Sequence, residues 1–404
     1  MRKEIVKRTG SMTAMLLLVI LVGMGEKMAE RFLPLYLLAL GGGTWAVGFL
    51  NSMDNLLSAL YSFPGGYLAD RLGYKKSLQI FTAVAMFGYL LVILIPSWQA
   101  VLVGSIFFIS WTAVSLPAIM SLVSKAVPKE RRSFGVSLHS FFRRIPMALG
   151  PIVGGLLIAA FGRVEGVRAA FGAAFGMGLV ALFIVGKFMA DDKVEKPAGV
   201  AGRTRMRDLF NPALRSLLAS DILIRFAEQI PYAFVVIWAV ENNRLTPLQF
   251  GLLTTIEMAT AMLVYIPVAW MADRYGKKRF VLITFVFFTL FPLVLLVSHT
   301  FPMFVLAFIV RGLKEFGEPT RKALIMDLAP EEAKARTFGA YYLLRDILVS
   351  IAALSSAWLW NRSPATNFLV AAGFGVAGAL LFALFGRDIQ SDRASDQKKE
   401  NTNV

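Results

Sequence analysis

Apolar runs of membrane-crossing length follow one another along nearly the whole chain, and no other feature constrains the fold as much. Spanning about 30 Å of hydrocarbon takes roughly 20 apolar residues in a helix. Inside a bilayer the backbone finds no water to bond, which leaves helices or a closed barrel. The runs are continuous, rich in Leu, Ala, Phe and Gly, and do not alternate with period two, so the expectation is helical. Six spans are expected at about 12–38, 45–69, 77–95, 99–125, 134–161 and 166–189. A stretch with Pro197, Gly199, Gly202 and mixed charges follows, and then six more spans at about 216–240, 247–270, 279–298, 301–326, 337–360 and 364–386. The expected organisation is an N-terminal six-helix bundle over 1–189, a cytoplasmic linker over 190–215, a C-terminal six-helix bundle over 216–386 and a polar, disordered cytoplasmic tail over 387–404.

Lys and Arg number 42 against 26 Asp and Glu, a surplus that on a soluble protein would suggest nucleic acid. Its position overturns that reading. The cations gather in alternate breaks, from Arg2 to Arg8, Arg71 to Lys76, Lys125 to Arg132, Arg203 to Arg215, Arg274 to Arg279 and Lys334 to Arg336, while the intervening breaks hold few. Cytoplasmic loops carry such an excess, so both termini are expected in the cytoplasm and a nucleic-acid partner is not. The absence of cysteine excludes disulfides and thiolate metal sites. Arg2, Lys3, Lys7 and Arg8 precede the first run without a small-residue cleavage pattern, which reads as a retained span.

The chain also repeats itself. Gly66-Tyr67-Leu68-Ala69-Asp70-Arg71-Leu72-Gly73-Tyr74-Lys75-Lys76 returns in weaker form as Met271-Ala272-Asp273-Arg274-Tyr275-Gly276-Lys277-Lys278, its aspartate at an offset of 203. Pro64 and Pro267, and Gly48 and Gly251, share that offset, and Pro117 and Pro319 lie 202 apart. Two six-helix halves of like orientation are related by an axis along the membrane normal, with a substrate cavity near the midplane. The fold class is therefore all-α integral membrane, with twelve transmembrane helices in two pseudo-symmetric six-helix bundles around a central cavity.

The first of these turns resembles the G-x-L-a-D-r-x-G-r-k-x signature of the major facilitator superfamily, and the twelve-span layout resembles that family over essentially the whole chain. The resemblance implies a conformational gating role for Gly66, Asp70, Arg71, Gly73 and Lys75, and in the second copy for Asp273, Arg274 and Gly276. Gly150-Pro151-Ile152-Val153-Gly154-Gly155 resembles the end of the antiporter motif of drug:proton antiporters in the same superfamily. The longer motif has further glycines upstream, where this chain has Pro146 and Ser137. Glycines let helices approach closely and Pro151 removes a backbone donor, so ordinary small-residue packing explains the run equally well.

Ionisable groups inside a span are expensive and require a partner or a task. The repeat sorts them into matched positions: Glu26 with Glu228, Asp54 with Glu257, and Arg143 with Arg345. Glu26 is the first choice for a proton carrier and Glu228 the second, since burial raises and a nearby arginine lowers the proton affinity of a carboxylate in general. Buried structural pairing is the competing reading. Glu26 and Glu30 share one helix face, with Lys27 and Arg31 on the next. In the tenth span Arg311 with Glu315, Lys314 with Glu318 and Glu318 with Lys322 stand four apart and are expected to pair along the helix. Arg143, Arg311 and Arg345, with Asp54, Glu257, Trp111 and Tyr232, are the candidate substrate-binding residues, arginine being suited to carboxylate or phosphate.

The expected function is secondary active transport by alternating access, proton-coupled export of a small organic solute by antiport in a monomer of the bacterial inner membrane. Its partners are the substrate, protons and the lipid bilayer, with no cofactor and no bound metal. Proton symport of an anionic metabolite and carboxylate-based export of a metal ion are the alternatives. A membrane-embedded enzyme would need a P-loop, metal-spaced histidines or a soluble domain, none of which the sequence shows. A passive channel or lipid scramblase differs in lacking countertransport.

Overall fold

The computed structural model describes residues 2–109, 111–126, 132–190, 209–330 and 334–387. Most of the linker and the tail expected from the sequence lie outside these residues. The first span is α1 (Arg2–Glu30) continued by the short α2 (Leu33–Ala39), and spans two and three form α3 (Gly43–Leu94). Span four is α4 (Trp98–Phe108) with α5 (Trp111–Ala126), span five α6 (Arg132–Phe161) and span six α7 (Arg163–Phe188). In the second half α8 (Pro212–Tyr232), α9 (Val235–Ile237) and a π-turn (Trp238–Asn242) make span seven. Then come α10 (Pro247–Tyr275), α11 (Lys277–Leu296), α12 (Phe301–Leu313), a 3-10 turn (Lys314–Gly317), α13 (Glu318–Leu328), α14 (Lys334–Arg362) and α15 (Pro364–Phe385). The twelve runs are thus helical as expected, and ten stretches among the described residues are on their own long and apolar enough to cross a membrane. Leu94, Phe183, Leu263 and Leu384 are among many large apolar side chains that face outward, as a lipid-contacting surface requires.

Two glycines make the polar turns of the repeated motif. Gly73 interrupts α3 at φ 79° and ψ 165°, and Gly276 separates α10 from α11 at φ 91° and ψ 143°. This region of backbone space is open essentially to glycine alone, so both copies of the motif use the residue for the same purpose. Two of the other breaks are closed by ordinary caps. Ser97 accepts a hydrogen bond from the Ala100 N–H at 3.2 Å, and Ser363 from Thr366 at 2.9 Å.

The chain divides into two compact units, one comprising Met1–Val200 with Ala233–Thr255, the other Ala201–Tyr232 with Ile256–Val404. In the first unit α1 packs on α6 and α7, and Tyr89, Phe108 and Phe171 meet with ring centroids 5.2 to 5.7 Å apart, joining α3, α4 and α7. In the second, α8 packs on α14 and α15, and Phe285 of α11 meets Phe382 of α15 at 5.2 Å inside a cluster with Leu214, Leu217 and Tyr341.

The expected ladder of pairs along span ten does not form as written. Lys322 does meet Glu318 at 3.3 Å, but Arg311 meets Glu257 of α10 at 3.2 Å and Lys314 meets Glu228 of α8. The reason is the 3-10 turn, which winds more tightly than an α-helix and shifts every side chain before it relative to those after it. Pro319 begins the new helix in its first turn.

Candidate functional site

A cavity of about 190 Å3 opens inside the first unit, walled by α1, α3, α5 and α6. From α1 it receives Glu26, Lys27 and Glu30, from α3 Asp54, from α5 Trp111 and Thr112, and from α6 His139 and Arg143. The sequence-level candidates Glu26, Asp54, Trp111 and Arg143 are therefore brought to one place. Glu26 is 5 % exposed, and its two carboxylate oxygens have different donors: Lys27 Nζ at 3.0 Å and Thr112 Oγ1 at 3.4 Å. Lys27 also contacts Glu30, so one lysine bridges both carboxylates of that face. The sequence set Lys27 on the helix face beside Glu26 and Glu30, whereas Thr112 carries no signal of its own, and only the fold brings it to a residue 86 positions earlier.

The antiporter-like motif holds this arrangement together. Gly150 of α6 lies against Lys27, a Cβ there falling 2.7 Å from the lysine Cβ, and Gly154 lies against the carbonyl of Met28 and the ring of Phe32. On α1, Gly23 meets the Pro146 ring and Gly25 meets Ala174 of α7. The turn bearing Glu26 and Lys27 is thus clamped by backbone-close contacts on both sides. Gly155 faces elsewhere, onto Pro247 and Leu248 at the start of α10, while Gly251 of α10 lies on the backbone of Pro151 and Ile152. Thr255 donates to the Ala148 carbonyl at 2.7 Å, closing the same helix pair.

The second unit places many of its buried ionisable residues in ion pairs. Glu228 lies between Arg225 and Lys314. Asp221, fully buried, meets Arg321, accepts the Tyr341 hydroxyl at 3.0 Å and has Arg345 at 3.5 Å; Arg321 also meets Glu318. Arg345 donates to Asp346 at 2.7 Å and stacks over Tyr342 at 4.2 Å. Arg311 pairs with Glu257 and is boxed by the rings of Tyr232, Phe291 and Phe308 at 5.2 to 5.6 Å. The matched positions of the repeat thus differ in environment: Glu26, paired with Lys27, and Asp54 line a cavity, whereas Glu228 and Glu257 pair with cations brought from span ten.

In the first motif turn, Gly65 abuts the Val114 backbone of α5, a Cβ on Gly66 would lie 3.9 Å from the Pro117 side chain, and Arg71 lies over the Tyr67 ring at 5.1 Å. Tyr74 is buried and Lys75 half-buried. The Asp70 and Asp273 side chains lie outside the described residues, and Arg274 is exposed. In the second copy the neighbouring Lys277 pairs with Asp327, and Lys278 donates to the Ala383 carbonyl at 3.1 Å.

A twelve-run helical chain with an internal repeat and a charged, glycine-clamped cavity defines a membrane transporter rather than an enzyme. The Major Facilitator Superfamily model matches residues 15–227 and 217–403, so the chain belongs to that superfamily. Relatives include a multi-drug resistance efflux pump homologue of Lactococcus lactis, 24 % identical over 332 residues, covering 78 % of this chain and 80 % of that one. They also include a minor myo-inositol transporter of Bacillus subtilis, 24 % identical over 365 residues and covering 83 % and 78 %. Among solved structures, a nucleoside transporter matches with a TM-score of 0.75 at 13 % identity, covering 94 % of this chain and 100 % of that one, a likeness of fold.

Proposed function

We propose that this multi-pass membrane transporter exports a small organic solute in exchange for protons, by alternating access. The observation that carries the reading is the position of Glu26: a buried carboxylate on the wall of a cavity, held by Lys27 and Thr112 and clamped by the glycines of the antiporter-like motif. A carboxylate that shares its lysine with a second carboxylate can hand a proton on without leaving either charge bare. Solute binding and proton binding at one cavity would then compete, which is what exchange requires. Glu228, enclosed by two cations, serves as a charged strut in this scheme, and Arg143 orients the solute. The efflux-pump relative lends support to export, and the myo-inositol transporter lends support to a small organic solute as cargo. Both termini are placed in the cytoplasm and the working unit is a monomer in this reading. Reporter fusions at each end test the first point.

Proteoliposomes loaded with a pH-sensitive dye test the coupling. Substrate-driven proton movement, opposite to the solute and abolished by Glu26→Gln, is the expected result. Movement in the same direction as the solute would favour symport instead. Coupled flux that survives Glu26→Gln would remove that residue from the scheme.

A further inference from the structure

A surface groove of about 400 Å3 runs between α8 and α14 in the second unit. Its walls are carbon, from Phe210, Leu218, Ala219, Ile222 and Leu344, and among the described residues its one charged group is Arg215. Arg215 is exposed, and its Nε donates to the Phe210 carbonyl at 2.9 Å, which fixes the guanidinium beside the groove. Among the described residues no carboxylate meets its two terminal nitrogens. The residue also stands in the first turn of α8, where the helix dipole is positive and a cation is unfavourable until an anion joins it. Ile222 lies about 10 Å further along the axis, at 1.5 Å of rise per residue, so the groove descends from a charged mouth into the span. On the Leu344 face of α14, Leu348 and Ile351 are exposed and continue the apolar surface inward. A second groove, of about 530 Å3, is lined by Lys322, Ala323, Met326 and Phe338, but its cation already meets Glu318 at 3.3 Å.

We propose that the groove between α8 and α14 binds an anionic phospholipid, with the phosphate on the outer edge of Arg215 and an acyl chain along Leu218, Ala219, Ile222 and Leu344. A guanidinium offers two parallel donors to a phosphate, and a bilayer presents phosphate above hydrocarbon in the same order as the groove. The sequence just before α8 adds Arg203, Arg205 and Arg207, a basic run of the kind that draws anionic lipid to a membrane surface. Ile222 and Leu344 adjoin Asp221 and Arg345, which meet across the same helix pair at 3.5 Å, so a chain seated in the groove braces α8 against α14. The site takes lipid and not cargo, and it depends on neither the direction of transport nor its coupling.

Native mass spectrometry of the delipidated full chain provides the test. The probes are palmitoyl-oleoyl phosphatidylglycerol, phosphatidylcholine with the same chains, and glycerol phosphate as a headgroup without chains. The first phosphatidylglycerol is expected to bind about fivefold tighter than the first phosphatidylcholine, the gain from one arginine facing a net negative headgroup instead of a zwitterionic one. Arg215→Gln should remove that preference and leave phosphatidylcholine binding as it was, which doubles as the check that the variant is folded. Arg215→Lys should keep part of the preference, and Lys322→Gln all of it. Ala219→Trp, which fills the groove, should remove it with Arg215 still in place. Phosphatidylglycerol should also raise the melting temperature of the unmodified protein and not that of Arg215→Gln. Equal binding of the two lipids, or a preference that survives Arg215→Gln or Ala219→Trp, would mean annular lipid only and overturn the proposal. Glycerol phosphate that displaces phosphatidylglycerol at equal concentration would assign the arginine to a soluble phosphate and overturn it as well.

Discussion

Asp221 shows what a buried charge in this protein requires. Its carboxylate is fully enclosed and is met by Arg321, the Tyr341 hydroxyl and Arg345. Deleting one partner of such a pair strands the other, at a cost of about 3–5 kcal/mol. Asp221→Ala is therefore expected to lower the melting temperature of the solubilised protein sharply. Tyr341→Phe, which removes a single hydrogen bond to a charged group, should cost about 1–3 kcal/mol and lower it less. Equal shifts in the two variants would mean that the arginines find other partners. At this scale the sequence was a partial guide. Asp221 and its partner Arg321 lie 100 residues apart, and no local pattern links them. Lys27 was assigned to the helix face beside Glu26 and Glu30, which is correct for its Cβ. The long stem lets the ammonium reach back to both carboxylates, and periodicity describes only where a side chain starts.

Among the helices, α6 has the most specific task, because its glycines set how closely it approaches the turn that carries Glu26. A side chain at Gly154 would run into the Met28 carbonyl, and backbone cannot move aside as a flexible side-chain tip can. Gly154→Val is expected to force α6 from α1, abolishing coupled transport and lowering the melting temperature. Gly176 of α7 has open space where a Cβ would go, and Gly176→Ala should be neutral or stabilising by about 0.5–1 kcal/mol. If both substitutions left transport intact, the clamp would have no role. The motif was legible in the sequence as a run of small residues, although not which helix each glycine meets: Gly150 and Gly154 face α1, while Gly155 faces α10. The break inside span ten was harder to see. Apolar periodicity carries through it, and Pro319 was the one local sign that the helix restarts.

For the molecule as a whole, the sequence disclosed most of the architecture, because a bilayer leaves so few ways to satisfy a backbone that counting apolar runs is nearly enough. Twelve helical runs, the internal repeat and its glycine turns could all be read before any coordinates existed. How residues are shared between compact units could not, since that depends on packing across great distances in the chain. The unit built from Met1–Val200 also takes in Ala233–Thr255, where Gly251, Phe250 and Thr255 meet Pro151, Phe32 and Ala148. The polypeptide therefore leaves the first unit, returns to it once, and leaves again. A gene severed within the linker would encode one fragment deprived of a borrowed strap and another carrying that strap with no seat for it. Co-expressed, the halves are expected to be recovered as a tagged pair, and the N-terminal half alone to be rapidly degraded; an N-terminal half that accumulates alone at the level of the pair would mean the strap is dispensable.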